Sequence, residues 1–295
     1  MVGLFTVGFY SYKHYQLSYP SYFPQPYYDT TKNPLTEDVI ELGRMLFYDP
    51  ILSKDNTISC ASCHSSFNAF AHTDHDLSHG IDGKIGTRNS LTLQNLAWNK
   101  NFMWDGGINH LDVQALAPIS SEVEMNESLE NVIAKLQQSE KYQELFYKAF
   151  GTKNITGQLT LKSISQFVVS LTTLNSKYDK VVRKEVKFTK MEQKGYDLFK
   201  KYCASCHKEP LLTSNSFENN GLALDTTLND FGRMNITQNP MDSLKFKVPT
   251  LRNIEFTFPY MHDGRFKTLN EVVKHYNSGI QQNKTTAKQL QKPMN

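Results

Sequence analysis

Apolar residues recur at helical spacing through much of the chain, while strand-like alternation is sparse. Val39, Leu42, Leu46 and Phe47 form one stripe behind Thr36, with Glu37 and Asp38 following at once. A residue able to cap and two acids in the first turn predict a helix starting near Thr36. The same spacing predicts helices over about residues 111–117, 129–150 with a break near Ser139, 157–174, and 191–202. A last helix is expected over 269–276, capped by Thr268. Between Pro210 and Pro249 Asn, Ser, Thr and Asp predominate, which predicts long loops. Residues 12–32, rich in Tyr, Pro and Ser, read as an extended tether ahead of the fold. Residues 1–10 are apolar, short and without a basic leader, so they resemble the tail of a clipped export signal or anchor.

The pattern repeats. Gly43-Arg44-Met45-Leu46-Phe47 precedes Cys60 as Gly195-Tyr196-Asp197-Leu198-Phe199 precedes Cys203, each a helix that delivers the chain to a Cys-x-x-Cys-His. A length of 295 residues suits two domains sharing an interface. Hydrophobic residues at 39% and charged residues at 21% exclude both a disordered chain and a membrane-embedded body. A net charge of +3 is too small to argue for nucleic acid.

All four cysteines lie in the two pairs, which leaves none for a structural disulfide. Cys60-Ala61-Ser62-Cys63-His64 and Cys203-Ala204-Ser205-Cys206-His207 are attachment signals for c-type haem. Two thiols bond the porphyrin edge, and the adjacent histidine reaches only the iron of that haem. Paired Cys-x-x-Cys also builds zinc ribbons, but zinc leaves the histidine after each pair unexplained. A thioredoxin-like motif lacks its βαβ surroundings. The expected fold is mainly α, two cytochrome c-like haem domains related by duplication. Residues 1–33 are expected as the N-terminal segment, 34–180 as the first haem domain and 181–295 as the second. Because c-type haem is attached outside the cytoplasm, the reading implies export to the periplasm.

Further motifs surround the pairs: Gly43-Arg44-Met45-Leu46-Phe47-Tyr48-Asp49-Pro50, Gly86-Thr87-Arg88-Asn89-Ser90, Trp104-Asp105-Gly106, Val123-Glu124-Met125-Asn126, Val248-Pro249-Thr250-Leu251-Arg252-Asn253 and Pro259-Tyr260-Met261-His262-Asp263-Gly264. With them the chain resembles the bacterial dihaem cytochrome c peroxidases and their MauG-type relatives over roughly residues 35–279. The resemblance implies that the haem on His64 is peroxidatic, with His79 as its displaceable distal ligand in Ser78-His79-Gly80; His72 and His75 are the competitors. It places Gln114 and Glu124, ten residues apart, in the distal pocket. There Glu124 moves the peroxide proton and Gln114 orients the substrate, while Glu122 has no role. Trp104 falls at the tryptophan between the haems, although a core aromatic would look the same in sequence. Asn89, Thr257 and Pro259 match a calcium site of one amide and two backbone carbonyl oxygens.

Two departures qualify the resemblance. Many members place methionine as the second ligand of the haem on His207, at a position that here holds Tyr276, the MauG-like state; Met261 and His275 are alternatives. A phenolate favours ferric iron where a thioether favours ferrous iron. The family also continues into one more helix, so the end at Asn295 suggests truncation. The resemblance implies reduction of hydrogen peroxide by electrons from a small donor protein, a cytochrome c or a cupredoxin, in a chain that forms homodimers. The alternatives are a MauG-like oxidase of a protein side chain and a non-enzymatic dihaem electron carrier. A proton shuttle at Gln114 and Glu124 argues against the carrier.

Overall fold

The computed structural model describes residues 13–291, so the expectations for the export segment 1–10 and for the chain end lie outside the described residues. In chain order the helices are α1 (Glu37–Tyr48), α2 (Cys60–Cys63), α3 (Leu116–Ser120), α4 (Leu129–Gln138), α5 (Glu140–Phe150), α6 (Gly157–Ser170), α7 (Lys177–Val182), α8 (Lys190–Tyr202), α9 (Met234–Thr237) and α10 (Leu269–Lys274). One two-stranded antiparallel pair joins them, β1 (Phe217–Glu218) and β2 (Phe246–Lys247), with Phe217 opposite Lys247. The chain is mainly helical with long loops, as its pattern predicts.

Helix α1 begins as expected: the Thr36 hydroxyl accepts from the Val39 amide, and Val39, Leu42, Leu46 and Phe47 are buried. Each such side chain contributes about 1.5–3 kcal/mol. The stripe packs on α6 so closely that a Cβ at Gly43 would stand 1.9 Å from the Ser163 carbonyl oxygen. Ser139 ends α4 and caps α5, which is the expected break.

Three elements differ from their expected extent. The run at 111–117 divides into a short turn, Leu111–Val113, and α3. Pro118 lacks an amide hydrogen and is tolerated in the first turn of α3, not midway through a longer helix. Helix α6 stops at Ser170 because Asn95 captures the next residues, its amide donating to the Leu171 carbonyl (2.8 Å) and its side chain accepting from the Thr173 amide (2.9 Å). Helix α10 ends at Lys274 and widens into a π-turn, His275–Gly279.

The segment expected as a tether is extended but is not separate from the fold. Phe23 is buried against Trp98, whose Nε1 donates to the Pro24 carbonyl (2.8 Å), and the Tyr28 hydroxyl donates to Asp112 (2.7 Å). Gln166 on α6 donates to Asn33 Oδ1 (2.7 Å) and accepts from the Thr36 amide (3.1 Å). Its aromatic residues have apolar surface to cover, and covering it turns residues 13–33 into a strap on the first half of the chain.

Most of the core lies in that first half. By contrast α8 buries no residue, and a Cβ at Gly195 would meet nothing within 4 Å. Two buried ionic clusters pin the second half to the first. Arg88 pairs with Asp105 and Asp230 (2.6 Å each), and Arg252 pairs with Asp179 on α7 (2.8 Å) while also bonding the carbonyls of Thr173 and Pro210.

Candidate functional site

The two Cys-x-x-Cys-His segments fold alike. In each, the histidine amide donates to the carbonyl of the first cysteine at 2.9 Å, so one turn gathers two thiols and an imidazole. His64 Nδ1 lies 3.0 Å from the Phe70 carbonyl and 3.2 Å from Ser90 Oγ; His207 Nδ1 faces the carbonyls of Leu212 (3.2 Å) and Pro249 (3.1 Å). A carbonyl only accepts, so the proton sits on Nδ1 and the Nε2 lone pair remains for a metal. Burial pushes His64 down to about 4 and lowers His207 as well, keeping both imidazoles neutral, the ligating form. These residues fit c-type haem. The environments differ: Cys60 is half-buried and its thiol is pushed up by burial to about 12, whereas Cys203 is exposed.

Around the first motif the structure brings several expected residues together. Cys63 Sγ lies 3.5 Å from the His79 carbonyl. The loop after His79 is clamped to the Glu124 segment: the Ile81 amide donates to the Glu124 carbonyl (2.9 Å), and a Cβ at Gly80 would stand 2.2 Å from the Val123 carbonyl oxygen. The Glu124 carboxyl is raised by burial, and its charge acts on both Cys60 and Cys63, which places it beside them. Glu122 is exposed. Gln114 Nε2 contacts Met103 Sδ at 3.7 Å. The histidines His72, His75 and His79 form one row, with ring centroids 5.1 Å and 4.0 Å apart, so His79 has its competitors beside it.

Trp104 is buried between the halves. Its Nε1 donates to the Asn89 carbonyl (2.8 Å), its own carbonyl accepts from the Lys247 amide (2.7 Å), and its ring lies 6.5 Å from that of His262. Asn89 donates from Nδ2 to the Asp76 carbonyl (3.0 Å) and from its amide to the His262 carbonyl (2.6 Å), on the same turn as buried Pro259. Thr257 lies just ahead, its amide donating to the Ile254 carbonyl. Among the described residues no group of three or more His, Cys, Asp or Glu is arranged to hold a metal ion.

The three candidates for the second haem's other ligand converge on Asn220. Its side-chain amide lies 3.3 Å from Met261 Sδ, and Asn220 also acts on the Tyr276 phenol. Burial pushes the Tyr276 phenol upward, Asn220 opposes this, and the charges of Cys206 and Cys203 add to it, so the hydroxyl lies in the neighbourhood of the second thiol pair. His275 is turned away, its Nε2 engaged by the Asn220 backbone carbonyl at 3.0 Å. Sequence reasoning missed Asn220, Ser90 and the Arg88 cluster. Ser90, Arg88 and Asp105 had a signal, since all three sit in motifs that surround the cysteine pairs, while Asn220 had none.

Comparison with known proteins points to one family. The family model described as di-haem cytochrome c peroxidase matches residues 37–187. The cytochrome c551 peroxidase of Nitrosomonas europaea is 39% identical over 249 residues, 82% of this chain and 73% of that one. The cytochrome c peroxidase of Escherichia coli is 38% identical over 251 residues, 82% of this chain but only 54% of that longer protein. Among solved structures, a MauG-like protein associated with microbial copper homeostasis superposes with a TM-score of 0.84 at 30% identity, covering 92% of this chain and 85% of its own.

Proposed function

The chain belongs to the di-haem cytochrome c peroxidase family and is a peroxidase with c-type haems, and from that premise we propose that it reduces hydrogen peroxide to water with electrons from a small redox protein. The observation that carries this reading is Glu124, a carboxyl with a raised pKa held beside Cys60 and Cys63 by the loop that bears His79. Each turnover consumes one H₂O₂, two electrons and two protons and yields two waters. When bound, the haem on His64 supplies the electrons and the Lewis acid needed to split the O–O bond. Glu124 accepts a proton from one peroxide oxygen and returns it to the departing one. Gln114 orients the substrate, and the His79 loop controls entry.

His207 and Tyr276 would hold the second haem, which would supply a store of electrons on that side, and Trp104 would lie on the path from it to the first site. A cytochrome c or cupredoxin delivers electrons on this side, a reading that the exposed second motif supports. Asn89, Thr257 and Pro259 supply oxygens to one calcium ion between the halves, the two halves arose by duplication, and the protein works in the periplasm as a homodimer. Among the described residues no helix is long and apolar enough to cross a membrane.

The test is peroxide-dependent oxidation of a reduced monohaem cytochrome c by the holo-protein with calcium present. Rapid turnover is expected. A long-lived oxidised protein with little turnover would instead favour the second reading, a MauG-like oxidase acting on a protein side chain, for which Tyr276 and the likeness to a MauG-like structure speak.

A further inference from the structure

Lys247 is only 5% exposed, yet no carboxylate among the described residues pairs with it. The contrast with the other enclosed cations is sharp: Arg88 holds two aspartates and Arg252 holds one. A buried ammonium without a counter-ion costs several kcal/mol, and burial alone lowers this one to about 8, so it is still charged at neutral pH.

Its place in the fold narrows what the missing anion is. The Lys247 amide donates to the Trp104 carbonyl (2.7 Å), and two residues on the Pro249 carbonyl faces His207 Nδ1 (3.1 Å). Lys247 therefore stands on the short stretch of backbone that joins Trp104 to a haem-binding histidine. Antiparallel pairing puts its side chain on the same face as Phe217, whose ring packs against Gly106 just after Trp104. Haem, the group His207 would hold, carries two carboxylates of its own, the propionates.

We propose that Lys247 is the counter-ion of a haem propionate at the interface between the halves, a cofactor-anchoring residue that also sets that haem's potential. A cation near the porphyrin favours the ferrous state, and pairing relieves the cost of the buried ammonium. This rests on the two haems and not on the peroxide chemistry.

The experiment is a potentiometric and thermal comparison of the holo-protein with Lys247→Met and Lys247→Arg, bound haems being counted separately by pyridine haemochrome absorbance. With a propionate partner, Lys247→Met lowers one haem's potential so that its ferric-to-ferrous ratio at fixed potential rises about tenfold, roughly 59 mV for one electron. It also lowers the melting temperature, and Lys247→Arg restores most of both. Should Lys247→Met fail to retain a haem that Lys247→Arg retains, the charge is required and the assignment stands. If Lys247→Met leaves both potentials in place and raises the melting temperature, the lysine is an unpaired cation and the assignment falls. It falls equally if both variants lose haem to the same extent, since shape and not charge would then be the requirement.

Discussion

Glu124 combines a raised pKa with a place beside the first thiol pair, so the proton chemistry assigned to it has a direct test. Glu124→Gln is expected to slow peroxide turnover by about 10²–10⁴-fold while leaving both haem potentials unchanged; turnover at the original rate would remove the role. Tyr276→Met replaces a phenol with a thioether and is expected to raise the second haem's potential. A potential and spectrum that stay put would transfer the ligand role to Met261. At this scale the haem-attaching residues were legible, because covalent chemistry fixes two thiols and an imidazole at one spacing. Asn220 was not, since its importance comes only from the fold that brings positions 261 and 276 to its side chain. Lys247 was hidden for a similar reason: its identity is ordinary and its burial is not.

At the scale of elements, the two repeated glycines stand in opposite surroundings. Gly43 marks the crossing of α1 on α6, where a Cβ would meet the Ser163 carbonyl, while Gly195 on α8 faces open space. Gly43→Ala is expected to cost about 1–3 kcal/mol through overpacking. Gly195→Ala is expected to stabilise by about 0.5–1 kcal/mol through restricted backbone freedom. Urea unfolding of the holo-protein gives both values, and equal effects would refute the difference in packing. Helix positions were readable wherever a stripe and a cap coincided, as at Thr36 and Ser139. Helix ends decided by distant partners were not: Asn95 closes α6 by holding Thr173, 78 residues further along the chain.

Across the whole molecule, Asp179 ties three separate parts of the chain together. It accepts from Tyr22 on the strap, from Ser176 at the start of α7 and from Arg252 in the second half. Burial pushes its carboxyl upward, but Arg252 and Ser176 outweigh this and hold it at about 2. A depressed carboxyl contributes stability that is complete above its ordinary value near 4 and is lost as pH falls from about 4 toward 2. Arg252→Met leaves the aspartate buried and unpaired, so it should cost about 3–5 kcal/mol and remove much of this acid sensitivity. Unfolding measured at pH 5 and pH 3 in both proteins checks the sign. The strap looked separate in sequence because its hold on the body depends on such long-range partners.

The bond between the Ile81 amide and the Glu124 carbonyl has a kinetic corollary. His79 sits two residues before one end of that bond, and the carboxyl of Glu124 hangs from the other. Swinging the histidine aside loads the same backbone that aims the carboxylate. If His79 swings aside to admit substrate and Glu124 carries the proton, as proposed, a lesion in this bond is expected to slow both steps together.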